Sequence, residues 1–253
     1  MREQIDTIPV NEAFTSGDEC PFCYLERQAE QRAIRYTVGP GASFMEPEVR
    51  GTTDRLGFCG NHMKKLYDYG NALGNALILQ TYYVGMMREL DGQLDNLELP
   101  AKKPLFSLKK KESSGTVNAL LEWAKRKTSS CYLCDKLTYN MDRYYTTFFY
   151  LIKDEEFRNK AEQCKGFCLR HFAQLLEKAE KDLPNAQLEW FYTTIPSLMR
   201  ENLARVQGDL GWFVDKFDYR NASADWKNSR DAVPRSMQKL QGLHPSDPPY
   251  KEK

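Results

Sequence analysis

Apolar residues recur along this chain at intervals of three and four, the pattern of helices that bury one face. Phe22, Leu25, Ala29, Ala33 and Tyr36 form one stripe, and Leu73, Ala76, Leu77, Val84 and Met87 a second. Leu133, Leu137, Met141, Tyr144, Phe148 and Leu151 form a third, and Leu188, Phe191, Tyr192, Ile195, Leu198 and Met199 a fourth. The aromatic residues on these stripes are expected to pack the core. Gly39-Pro40-Gly41 marks the end of the first helix. Pro196 lacks an N–H, so it is expected to kink or restart the fourth. A last helix is expected from about Asp231 to Leu240, with Gly242 as its stop. No run alternates apolar and polar positions as a half-buried strand would. The fold class is therefore all-α.

Between the stripes the chain repeats itself. Cys20-Pro-Phe-Cys23 is followed by Gly57-Phe58-Cys59 and His62, and Cys131-Tyr-Leu-Cys134 by Gly166-Phe167-Cys168 and His171. Each copy reads C-x-x-C, then G-F-C-x-x-H. Six of the seven cysteines and two of the three histidines fall into this one pattern. A pattern used twice points to a duplicated unit. The likeness continues downstream, where Met86-Met87-Arg88-Glu89 matches Leu198-Met199-Arg200-Glu201. The expected architecture is two homologous helical units, residues 1–92 and 115–207. They are joined by a basic linker over residues 93–114 and followed by a C-terminal helical cap over residues 208–243 and a disordered tail over residues 244–253.

The spacing suits a metal. A structural zinc ion takes four thiolate or imidazole donors in a tetrahedron. C-x-x-C brings two sulfurs to one ion, and C-x-x-H at the start of a helix places a sulfur and an imidazole one turn apart on one face. Each repeat is thus expected to hold its own Cys3His site. Cys20, Cys23, Cys59 and His62 make one, and Cys131, Cys134, Cys168 and His171 the other. Helix N-termini favour thiolates through their free N–H groups and partial positive charge. Gly57 and Gly166 are expected to relieve crowding at the turn into each site, and Phe58 and Phe167 to cover it. Zinc is the expected ion, two per chain, because sulfur-rich tetrahedral sites suit it; iron is the runner-up. With four donors in each site, no position is left open for catalysis. A thioredoxin-type dithiol at Cys20 and Cys23 is disfavoured, since no βαβ pattern surrounds it. Cys164 reads as a semi-buried helical cysteine or a spare thiol, and His244 as an exposed tail residue.

Composition and charge narrow the setting. The chain of 253 residues carries 36 basic and 35 acidic groups, a net charge of +1, which argues against a whole-chain nucleic-acid binder. The balance is uneven: residues 1–100 carry a net −6, residues 101–127 a net +6. Lys102, Lys103, Lys109, Lys110, Lys111, Lys125, Arg126 and Lys127 make up the basic stretch. It reads as a solvated linker rather than a nucleic-acid contact. No secretory signal is visible at the N-terminus. The most apolar stretch, Ala72 to Met87, is too short and too interrupted to span a membrane. A cytoplasmic location follows as the expectation, and in a reducing compartment cysteines favour metal or redox chemistry over disulfides.

The repeats, the opening Ile8-Pro9-Val10-Asn11-Glu12-Ala13-Phe14 and the closing Lys216-Phe217-Asp218-Tyr219-Arg220-Asn221 with Asn228-Ser229-Arg230-Asp231-Ala232 resemble an uncharacterised family. It is bacterial, largely from Firmicutes, and of unknown function. The resemblance spans about residues 5–242. It implies paired metal motifs carried by the eight residues above, and no established activity. The leading functional expectation is a metal-stapled interaction or scaffold module with a protein partner and no catalytic residues. One alternative is an enzyme with a pocket between the units or at the cap, where Asp218, Tyr219 and Arg220 are the candidates. Another is a thiol-based redox or metal sensor.

Overall fold

The computed structural model describes residues 6–41, 43–98, 115–242 and 244–245. Among them are eleven α-helices and no strand. In chain order they are α1 (Thr7–Thr15), α2 (Pro21–Val38), α3 (Pro47–Leu56), α4 (Gly60–Tyr69), α5 (Ala72–Asp95) and α6 (Gly115–Ser129). Then come α7 (Tyr132–Leu151), α8 (Glu155–Gln163), α9 (Leu169–Asp182), α10 (Leu188–Asp215) and α11 (Ala232–Gln241). The all-α expectation holds.

The compact units are not the two consecutive halves. Among the described residues, one comprises residues 6–29 with those from 137 onward, the other those between 30 and 136. Each boundary falls inside a long helix, α2 or α7. The reason is rigidity. An 18-residue helix is about 27 Å long and a 20-residue helix about 30 Å. A chain entering such a rod cannot fold back locally, so its two ends serve different cores.

In the first unit the core is aromatic. Phe14 stacks on Phe148 at 5.4 Å and Phe22 on Tyr145 at 4.4 Å, with Phe157, Phe167 and Phe191 buried among them. Such pairs are worth about 0.5–1.5 kcal/mol each beyond their buried area. Helix α10 runs unbroken through Pro196 rather than restarting there. Proline removes the N–H that would meet the carbonyl of Tyr192, but Tyr192 lies towards solvent, where water can satisfy it.

The second unit buries Ile34, Val38, Phe44, Val49, Phe58, Leu66, Ile78 and Leu133. Here the expected stripe on α5 is displaced. Leu73, Val84 and Met87 are exposed, and the helix buries Gly74, Ile78 and Tyr82 instead. Periodicity shows two apolar faces on α5 without ranking them. Close approach ranks them: a Cβ on Gly74 would come within 3.1 Å of the Phe44 ring. Tyr36, expected in the core, is also exposed. Helix α5 continues to Asp95, beyond where the linker was expected to begin. Residues 99–114, with Lys102, Lys103 and Lys109 to Lys111, and residues 246–253 lie outside the described residues.

After α10 the chain makes a short 3-10 turn over Tyr219–Asn221 before α11. Lys216 is buried, its ammonium donating to the carbonyls of Asn221, Ala222 and Ala224. Arg235 binds Asp209 at 2.9 Å and Asp231 at 2.8 Å. Gly242, at φ 82°, ends α11 in the left-handed region, as expected.

Candidate metal centres

The helices deliver their sulfurs in matching ways. Cys20 and Cys131 immediately precede α2 and α7, and their carbonyls accept from Tyr24 N and Asp135 N at 3.1 Å each. Cys23 and Cys134 stand in the first turns of the same helices. Cys59 and Cys168 are the N-cap residues of α4 and α9, and His62 and His171 follow one turn on. The turns into those caps need glycine. Gly57 sits at φ 61°, where a Cβ would lie 2.8 Å from the Tyr82 ring; Gly166 sits at φ 73°.

All eight predicted residues are brought together, in two groups of four whose donor atoms lie within 4.8 Å of one another. The grouping differs from the expectation. Cys20 and Cys23 stand with Cys168 and His171, and Cys59 and His62 with Cys131 and Cys134. Each C-x-x-C meets the G-F-C-x-x-H of the other repeat. The cause is visible in the second unit, where the Gly57 turn docks on the segment that opens α7. Tyr132 N donates to the Gly57 carbonyl at 3.0 Å, and the Ser130 hydroxyl to the Leu56 carbonyl at 2.7 Å. Helix α2 meanwhile has carried the chain a full rod length from Cys23.

The geometry fits a tetrahedral ion. Arms of about 2.3 Å to sulfur and about 2.0 Å to nitrogen imply edges of about 3.8 Å between sulfurs and about 3.5 Å between sulfur and nitrogen. In the first cluster, Nδ1 of His171 is 3.4 Å from Cys20 Sγ, 3.4 Å from Cys23 Sγ and 3.3 Å from Cys168 Sγ, and Cys23 Sγ is 3.6 Å from Cys168 Sγ. In the second, Nδ1 of His62 is 3.3 Å from Cys59 Sγ, 3.2 Å from Cys131 Sγ and 3.4 Å from Cys134 Sγ, and Cys59 Sγ is 3.9 Å from Cys134 Sγ. All seven cysteines are free thiols, and no sulfur pair is near the bonded length of about 2.05 Å.

Charge argues the same way. In the first cluster, hydrogen bonds from Cys20 and Cys23 drive the Cys168 thiol far below its usual range. Burial pushes Cys20 up, and hydrogen bonding to Cys168 and Cys20 pushes Cys23 up. Protein groups alone thus hold one thiolate comfortably, and a central dication is what would stabilise three. In the second cluster, burial opposes ionisation of Cys131, but the His62 hydrogen bond and backbone N–H groups outweigh it and bring the thiol down to about 6. Cys134 is pushed up to about 12 by burial and by the charges of Cys131 and Cys59. Burial also pulls His62 down, yet its bonds to Cys131 and Glu30 raise it to about 10.

The His62 imidazole is backed by a carboxylate, and the His171 imidazole has one nearby beyond hydrogen-bond distance; the motifs include neither carboxylate. His62 Nε2 is 3.1 Å from Glu30 Oε1, and Lys65 Nζ donates to both oxygens of Glu30 at 2.6 and 2.7 Å. This directs Nδ1 of His62 at the sulfurs. Nε2 of His171 is buried 3.6 Å from Glu26 Oε2, and Arg170 holds Glu26 through two hydrogen bonds. Glu26 and Glu30 lie three and seven residues after Cys23, on one face of α2. That spacing was readable; which histidine each would meet was not.

The remaining candidates take structural places. Cys164 is buried at the end of α8, outside both clusters, with its thiol pushed up to about 11 by burial. His244 is half-buried and joins neither cluster. Asp218 accepts from the backbone N–H of Arg220 at 2.9 Å and pairs with its guanidinium, which lowers the carboxyl. Tyr219 is exposed beside them.

A model described as a family of unknown function (DUF6062) matches residues 1–247, a span that holds both clusters. The chain belongs to that family. Comparison with curated proteins and with solved structures found no match. The family description supplies no activity, so a function for this member must be argued from its eight donors. No described helix is long and apolar enough to cross a membrane.

Proposed function

We propose that this protein is a cytoplasmic, zinc-stapled interaction or scaffold module with a protein partner. Two zinc ions per chain would be bound, one by Cys20, Cys23, Cys168 and His171 and one by Cys59, His62, Cys131 and Cys134. The carrying observation is closure. Each cluster presents four donors at tetrahedral spacing, so a bound ion keeps no position for water or substrate. Three thiolates and one imidazole favour zinc, with iron as the competing ion. The ions would tie distant parts of the chain: Cys23 to Cys168, and Cys59 to Cys134.

Metal analysis of protein purified under reducing conditions without chelator tests this. About two zinc per chain is expected. Less than one zinc overturns the reading, and visible iron–sulfur absorbance reassigns the ion. The staple role predicts that chelation lowers the melting temperature sharply. Loss of both ions with an unchanged melt would show that they are not staples.

A further inference from the structure

We propose that the second cluster is a peroxide-releasable metal site, with Cys134 as the thiolate that meets the oxidant and Cys59 as its disulfide partner, whereas the first cluster is retained. This inference rests on the metal reading above and names a regulation of one of the two sites.

The two clusters share a donor set and differ in access. In the first, Cys20, Cys168 and His171 are 0% exposed and Cys23 is 1% exposed. Helix α11 closes over it: Gln238 donates to Asp18 at 2.7 Å, and the buried Lys239 binds the carbonyls of Glu19 and Lys165. A Cβ on Gly242 would stand 3.3 Å from Cys168 Sγ, so the backbone there leaves no gap for a reagent. In the second, Cys131 is 1% and His62 3% exposed, but Cys59 is half-buried and Cys134 reaches solvent. The two accessible sulfurs are 3.9 Å apart. Thiol oxidation requires access as well as thiolate character, and metal ligation supplies the latter in both clusters.

The chemistry balances with a peroxide as oxidant. The Cys134 thiolate attacks one peroxide oxygen and breaks the O–O bond, giving a sulfenic acid and hydroxide. The Cys59 thiolate then attacks that sulfenic sulfur, forming the S–S bond and expelling a second hydroxide. The sulfurs lose two electrons, the peroxide oxygens gain them, and two solvent protons turn the hydroxides into water. The ion keeps only Cys131 and His62 and dissociates. A thiol reductant and fresh zinc restore the site.

The test uses the full-length zinc-loaded protein, hydrogen peroxide and a colorimetric zinc chelator, followed by alkylation and peptide mass spectrometry. One zinc per chain should be released at least tenfold faster than the other, with a Cys59–Cys134 disulfide while Cys20, Cys23 and Cys168 remain unoxidised. Reductant should reverse the release. Cys164→Ser should leave both rates unchanged, because that buried thiol takes no part. Equal release from both clusters, or faster release from the first, overturns the proposal. A Cys131–Cys134 disulfide overturns the role given to Cys59. Fewer than one zinc per chain at the start overturns the metal reading itself, and this inference with it.

Discussion

Replacing His62 by alanine discriminates between the two ways of grouping eight candidate ligands. If each repeat closed on itself, the loss would loosen Cys20 and Cys23. In the structure, His62 faces Cys59, Cys131 and Cys134, so those sulfurs should lose protection and Cys20 and Cys23 should keep it. Structural zinc is worth about 10–16 kcal/mol, so one donor of four accounts for roughly 3–4 kcal/mol, or about 10²–10³ in affinity. The imidazole is 3% exposed, so truncation also leaves a cavity. Glu30 adds little to the cost, because Lys65 still holds both of its oxygens. The assay is alkylation of the zinc-loaded variant under chelator competition, with peptide mass spectrometry. Labelling of Cys59, Cys131 and Cys134 is expected at a chelator concentration that leaves Cys20, Cys23 and Cys168 unlabelled. Labelling of Cys20 and Cys23 with Cys131 and Cys134 protected would refute the crossed grouping.

Three further outcomes follow from named contacts. Gly57→Ala should cost about 2–3 kcal/mol by denaturant titration, since its backbone region is essentially glycine-only and the new methyl meets the Tyr82 ring. Gly166→Ala should cost less, its nearest neighbour being Asn202 Cβ at 3.3 Å; the reverse order would contradict the close approach of Tyr82. Lys239→Met should destabilise by about 2–3 kcal/mol, because it strips the donor from the buried carbonyls of Glu19 and Lys165, while the Glu19 carboxylate keeps Arg205 and Arg235. A change below about 1 kcal/mol would show that the ammonium does not hold α11. In metal-free protein, Cys131 should titrate near pH 6 rather than its usual 9.0. Its folded value is the lower one, so the thiolate's stabilisation is present above the unfolded value and lost as pH falls through about 6. His62, raised from 6.5 to about 10, contributes fully below 6.5 and loses that contribution as pH rises through about 10. Ultraviolet thiolate absorbance, compared with Cys131→Ser, reads the midpoint, and a value near 9 would remove the pair.

Much of the site was legible because ligand spacing is local. C-x-x-C and C-x-x-H place their donors within one turn, and a helix turn is the same in any fold. Gly57 and Gly166 could be marked as turn residues for the same reason. The carboxylates were half legible: Glu26 and Glu30 share a helix face with Cys23, but their partners come from α9 and α4. The burial of α5 was not legible, because Leu73, Val84 and Met87 satisfy helical periodicity as well as Ile78 and Tyr82 do. Nor was the unbroken passage of α10 through Pro196, which depends on where the carbonyl of Tyr192 points.

The helical class and the eight cysteine and histidine positions of the two clusters follow from residue type and from spacing within a few positions, which any fold would preserve. Tertiary structure alone decided which four donors share a site. The repeats offer identical half-sites, so chemistry is indifferent to the grouping. The choice falls to the rigid lengths of α2 and α7 and to the docking of the Gly57 turn beside Cys131. The same packing decided access, laying α11 over one cluster while leaving Cys134 of the other to solvent.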